Sequence, residues 1–190
     1  MVLIQNRELL LTKSRINQNQ KSIVSVTLTV LVGWFSVKCL NYVPEIIKNV
    51  TCHLNQISKT TSALYIEFSL DQDVRDVEGI YVLTMKRGSY LTNFTTLKLD
   101  YCQMLSSVES QFLLNMVTTQ IRRIGNLPLE CPFKMNKRYY VNGLTINSKF
   151  ITSYLPEVNF ISDTHINLRD RKACRIIIRG RFNRILNLIK

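Results

Sequence analysis

The side chains with the most chemical potential are two histidines (His53 and His165), five cysteines, and the acidic cluster Asp71, Asp73, Asp76 and Glu78. Neither histidine lies in a zinc-binding or nucleophile-activating pattern, so both read as surface or loop residues. No Gly-x-Ser-x-Gly, His-Glu-x-x-His, phosphate-binding loop or dinucleotide fingerprint occurs. The acidic cluster would suit a hard cation such as calcium, which takes several carboxylates. It lacks the glycine and terminal glutamate of a calcium loop, and Arg75 sits among the acids. A solvated turn is the better reading. Cys52, Cys102, Cys131 and Cys174 are 50, 29 and 43 residues apart, which is no zinc pattern and suits disulfides. The chain is expected to be no enzyme, with no catalytic residue, metal or cofactor.

The N-terminus accounts for the fifth cysteine and part of the charge. Residues Met1 to Lys21 carry Arg7, Lys13, Arg15 and Lys21 against Glu8, and the apolar run Ile23–Phe35 and then Ser36-Val37-Lys38-Cys39 follow. A basic stretch, an apolar run and a small-residue site have the form of a secretory signal peptide over residues 1–39, with a cut before Leu40. The alternative is an uncleaved membrane anchor formed by residues 22–37. Cleavage would remove Cys39 and leave an even set, as a disulfide-bonded secreted domain over 40–190 needs. The sequons Asn49-Val50-Thr51 and Asn93-Phe94-Thr95 agree with a secreted, extracellular glycoprotein.

Of the formal charge of +12, the segment 40–190 would keep +8, and +7 of that lies in residues 169–190. In the strand expected there, Cys174, Ile176, Ile178, Gly180 and Phe182 share one face, and Arg175, Ile177, Arg179 and Arg181 the other. The arginine face is solvated, or it meets an anionic surface or a receptor. No aromatics interleave the arginines as base stacking requires, so nucleic acid is not an expected partner.

Most of the chain alternates with period two. In Leu64–Leu70, the residues Leu64, Ile66, Phe68 and Leu70 face one way, with Tyr65, Glu67 and Ser69 opposite. Further strands are expected at Gly79–Met85, Phe94–Tyr101, Phe150–Tyr154, Glu157–Ile161 and Cys174–Phe182. Tyr139–Ile146, with Asn142-Gly143 inside it, is a tight hairpin or a bulged strand. About seven short strands predict an all-β, two-sheet antiparallel sandwich. One helix of about 18 residues interrupts it. Ser106 to Glu109 has capping-box spacing, Phe112, Leu113, Met116, Val117, Ile121 and Ile124 form an apolar stripe, and Gly125 stops it.

The block Asp100-Tyr101-Cys102, helix, then Gly125-Asn126-Leu127-Pro128-Leu129-Glu130-Cys131-Pro132 resembles an insect family of secreted proteins of unknown function. That family is grouped with the ML (MD-2-related lipid-recognition) domains and is similar to the ganglioside-activator type. The resemblance spans about Val43 to Arg184, with Cys52 and the stretch Cys174–Gly180 as further matches. It implies an immunoglobulin-like sandwich of ML type that parts to hold a lipid or pheromone-like apolar ligand, and a chemosensory role. It also implies Cys52–Cys174 and Cys102–Cys131 disulfides, one of three possible connectivities. Ile66, Phe68, Leu97, Leu99, Phe160, Ile176 and Ile178 are the candidate ligand-lining residues, each equally explained as core. The rival expectation is an extracellular interaction module without a cavity, using Arg175, Arg179 and Arg181 or the helix.

Overall fold

The computed structural model describes residues 25–106, 112–146 and 157–189. Two antiparallel sheets stack as an immunoglobulin-like β-sandwich. The larger sheet has the order β1 (Ser25–Asn41), β8 (Arg171–Ile189), β7 (Val158–Leu168), β4 (Val77–Arg87), β5 (Tyr90–Asp100). The smaller has the order β2 (Ile47–Gln56), β3 (Ser62–Leu70), β6 (Arg138–Leu144). Helices α1 (Tyr101–Ser106) and α2 (Phe112–Ile124) connect β5 to β6. The expected strands within β3, β4, β5, β7 and β8 are present and mostly longer, and Tyr101 opens α1 instead of ending β5. Tyr139–Ile146 is one bulged strand ending at Leu144, not a hairpin: its pairing with β3 shifts register between Leu64 and Tyr65, and Gly143 has φ +90°. The expected strand Phe150–Tyr154 lies outside the described residues.

Strands β1 and β2 were not expected. β1 pairs with β8 from Ser25↔Ile189 to Asn41↔Cys174, and Val30, Val32 and Trp34 are buried in the core. The boundary expected between residues 39 and 40 therefore falls inside a strand of the sheet. Val26, Leu28, Val30, Val32 and Trp34 alternate with Thr27, Thr29, Leu31 and Gly33, a period of two that a sheet satisfies. No helix of the described residues is long and apolar enough to cross a membrane.

One side of the sandwich is stitched where β1 meets the smaller sheet. At Phe35 the register with β8 shifts, and the backbone of Trp34 turns to the buried hydroxyl of Ser62 on β3. Trp34 N–H donates to Ser62 Oγ at 3.0 Å, and Ser62 Oγ donates back to the Trp34 carbonyl at 2.5 Å. Nearby, Cys39 is bonded to Cys52. Asn41 closes the intervening turn: its amide donates to the Ile47 carbonyl at 2.8 Å, and its oxygen accepts from Val43 N–H at 3.1 Å.

The Cys52–Cys174 bond implied by the resemblance is thus replaced by Cys39–Cys52, because β1 brings Cys39 to β2. Cys102–Cys131 is present, and Cys174 is a free, buried thiol. The odd cysteine is Cys174, not Cys39.

The far edges, β5 and β6, are bridged by the helices. Asp100 caps α1, accepting from Gln103 N–H at 2.9 Å. Ser106 ends α1 rather than opening a longer helix, its hydroxyl donating to the Gln103 carbonyl at 3.1 Å. The remainder of the expected capping box, Ser107 to Glu109, lies outside the described residues, as do the side chains of Phe112, Leu113 and Met116. Arg122 of α2 donates to the Leu105 carbonyl at 2.5 Å, joining the helices. Gly125 stops α2 and pairs with Val141 of β6, where a Cβ would stand 2.6 Å from the Tyr140 carbonyl oxygen.

Ser62→Ala leaves the N–H and carbonyl of Trp34 buried without partners. It should cost about 1–3 kcal/mol of unfolding free energy, read from denaturant unfolding. An unchanged midpoint would show that the Trp34 backbone is satisfied in another way.

Candidate functional site

The buried residues form two clusters rather than one. Val43, Ile47, Leu70, Phe133, Tyr139 and Cys174 belong to the first, and Val30, Trp34, Leu64, Leu83, Phe160 and Phe182 to the second. The strands that run between them are less buried in mid-course than at their ends. On β3, Leu64 and Leu70 are buried while Ile66 and Phe68 are only half-buried, although all four face inward. On β8, Cys174 and Ile178 are buried and Ile176 between them is not. The residual exposure of Ile66, Phe68 and Ile176 faces a cavity of about 550 Å³ between the sheets.

All seven expected lining residues border this cavity: Ile66 and Phe68 from β3, Leu97 and Leu99 from β5, Phe160 from β7, and Ile176 and Ile178 from β8. Tyr81, Leu83 and Met85 of β4, Ser162 and Thr164 of β7, and Val117, Gln120 and Ile121 of α2 border it too and were not anticipated. The alternation of Tyr81, Leu83 and Met85 within an expected strand was the available signal. Val117 and Ile121 of the helical apolar stripe form a wall of the cavity.

The described lining is aliphatic and aromatic, with a few neutral polar groups and no Lys, Arg, His, Asp or Glu. Burial pushes the Tyr81 hydroxyl up, with a hydrogen bond to Ser162 opposing the shift. Burial also pushes up the Tyr101 hydroxyl, which has no hydrogen-bond partner among the described residues. The Cys174 thiol is raised by burial as well, so it stays protonated and is a poor nucleophile. Nothing in this lining forms a nucleophile–base pair, and no metal-binding group of acids, histidines and cysteines occurs among the described residues.

The residues singled out elsewhere are occupied by local partners. Lys48 pairs with Asp71 at 3.5 Å, Lys134 with Asp73 at 2.9 Å, and Arg169 with Asp76 at 3.7 Å. A backbone N–H from Met135, then Lys134, holds the Asp73 carboxyl below its ordinary value. His53 stacks on Tyr65, and His165 Nε2 lies 3.3 Å from Asp163.

On β8 the expected alternation holds, with Cys174, Ile176, Ile178 and Phe182 lining the cavity and the arginines outside. The arginine face is not a free row of charge. Arg175 grips Asp163 through Nε at 2.9 Å and Nη2 at 2.6 Å, and Arg181 lies 3.9 Å from Glu157. Arg179 is exposed.

A family model matches part of the chain. It is described as "Protein of unknown function (DUF1091)" and covers residues 80–162, taking in most of β4, all of β5, both helices, β6 and the start of β7. The chain is similar to that family over this span, which contains the Cys102–Cys131 bond and the lining residues Leu97, Leu99 and Phe160. No curated protein matches the chain.

Two measurements check this site. Ile176→Phe adds volume toward the cavity. It should leave stability within about 1 kcal/mol of the parent or raise it, where a filled core would lose about 1–3 kcal/mol. The Asp163 carboxyl is held below its ordinary value, first by the hydrogen bonds from Arg175 and then by neighbouring positive charge. A carboxyl depressed on folding stabilises above its unfolded pKa, and that contribution is lost as pH falls through and below the ordinary carboxylate range. Asp163→Asn should therefore flatten the acid limb of a stability-versus-pH curve and leave its alkaline limb unchanged.

Proposed function

We propose that the protein is a secreted, non-enzymatic carrier or presenter of a neutral, lipid-like ligand held between its two sheets. The observation that carries this reading is the cavity of about 550 Å³ with no ionised side chain among its described lining residues. That size suits a small-molecule site. A dry apolar cavity takes an apolar ligand because burial removes hydrocarbon from water, at roughly 25 cal/mol per Å². A bare carboxylate would meet no cation there and would carry its full desolvation cost. The preferred ligand is thus a long-chain alcohol, ester or hydrocarbon rather than a free fatty acid.

The two disulfides fit an extracellular compartment. The resemblance of the Cys–helix–Cys-Pro block to ML domains supports lipid binding as the use of the cavity. The rival reading as an interaction module loses part of its motive, since Arg175 is committed to Asp163.

Native mass spectrometry of protein from eukaryotic cells tests the proposal. The intact chain should retain or take up a long-chain alcohol or its ester in preference to the carboxylate of equal length, and Ile66→Trp should reduce that uptake at least tenfold. A folded chain that takes up none of these ligands would sink the idea.

A further inference from the structure

The outer face of the smaller sheet carries a second concavity, of about 590 Å³, whose lining shares only Ile66 and Val141 with the first. Thr51, His53, Tyr65, Glu67, Arg138 and Tyr140 line it. The register explains the grouping: Thr51 stands opposite Glu67 and Glu67 opposite Tyr140, while His53 stands opposite Tyr65 and Tyr65 opposite Asn142. Alternate residues of three adjacent strands thus collect on one face. The His53 and Tyr65 rings lie parallel, 1° apart in tilt and 5.0 Å between centroids. Tyr140 is exposed, and Arg138 pairs with Glu67 at the sheet's surface. Flat aromatic surface flanked by a carboxylate, a guanidinium and an amide is what a pyranose ring requires. Its C–H face covers an aromatic ring, and its hydroxyl and acetamido groups bond to the polar flanks.

The strand beside this groove offers an occupant. Between the pairs Lys48↔Ser69 and Thr51↔Glu67 the β2 ladder shifts, so Asn49 and Val50 form a bulge. Val50 turns inward and lines the cavity between the sheets. Asn49, with φ 53°, is exposed beside Ser69, a neighbour of Glu67 on the outer face. Its Nδ2 donates one hydrogen to Ser69 Oγ at 3.3 Å, leaving the other for substitution. Thr51, the hydroxyl residue of the same sequon, itself lines the groove. A sugar joined at Asn49 starts at the rim of an aromatic, hydrogen-bonding surface.

We infer that Asn49 bears an N-linked glycan whose first saccharides lie in this groove, against Tyr65 and Tyr140, as an outer layer of the smaller sheet. In the joining step the amide nitrogen loses a proton and bonds to C1 of N-acetylglucosamine from a lipid-linked donor, whose diphosphate leaves. The inference does not depend on lipid binding; it needs only passage through a glycosylating compartment. The second sequon is an internal control. Asn93 is exposed on β5, at the edge of the other sheet, and its Nδ2 donates to Thr96 Oγ1 at 2.9 Å.

The test uses the full chain from eukaryotic cells, with glycopeptide mass spectrometry for occupancy and endoglycosidase release from the folded protein. Release at Asn49 should be several-fold slower than at Asn93, and removing the Asn49 glycan should lower Tm by about 2–4 °C. Both differences should shrink in Tyr140→Ala. The comparison of the two sites within the wild type needs no variant, so it stands if Tyr140→Ala does not fold. A bare Asn49 beside an occupied Asn93 overturns the inference. So do equal release rates with unchanged Tm, or slow release that survives Tyr140→Ala undiminished.

Discussion

The seam between β1 and the smaller sheet is the constraint from which the interior follows. A sandwich of two twisted sheets can be joined at one edge and still diverge at the other. Here the joined edge has a covalent bond, Cys39–Cys52, and the reciprocal hydrogen bonds of Ser62 with the Trp34 backbone. At the opposite edges, β5 and β6 are not paired with each other. The chain fills that side with α1 and α2, which are tied back by Cys102–Cys131 and by the bond from Arg122 to the Leu105 carbonyl. A helix is about twice as thick as the strand spacing within a sheet, so a helical wall holds the sheets further apart than a strand would.

That separation explains why two buried clusters exist instead of one. Near the Trp34 end, Phe160 and Phe182 pack ring against ring at 4.6 Å, and Gly180 leaves room for them. Near the other end, Tyr139 sits between Phe68 and Phe133. Between those aromatic blocks Ile66, Ile166 and Ile176 line the cavity. Filling the middle of the core with isoleucine, and its ends with aromatics, produces a cavity rather than a strained collapse. An unfilled apolar cavity has a dispersion cost, which an apolar ligand would offset.

The inward faces of β3 and β8 were legible because apolar and polar residues alternate there, without interruption from Leu64 to Leu70 and with only Ile177 out of pattern between Cys174 and Phe182. The same rule located the cavity lining without revealing a cavity, since a residue that faces inward is the same whether it meets a neighbour or a void. β1 was not anticipated as a strand because Val26 to Trp34 satisfies two templates at once: an apolar run behind basic residues, and a strand of period two. Its alternation with Thr27 and Thr29 was the available strand signal. β2 was hidden by its bulge at Asn49 and Val50, which breaks the period between Ile47 and Cys52. The Cys39–Cys52 bond follows from which strands are stacked, and linear spacing does not encode stacking.

The chain's formal +12 is a poor guide to its surface. Charge on a sheet is set by cross-strand neighbours, and β7 places Asp163 where it can accept both donors of Arg175. Both partners are half-buried, so removing either would leave the other without its main partner in a site that water still reaches. Arg175 is thereby a structural residue of the larger sheet. A contact with an anionic surface would have to fall to exposed bases such as Arg179, whose position on the outer face separates it from the apolar cavity by the thickness of the sheet. The inner face and the two outer faces are therefore chemically independent. The described inner lining carries no Lys, Arg, His, Asp or Glu, while the outside of the smaller sheet offers paired charge beside aromatic rings.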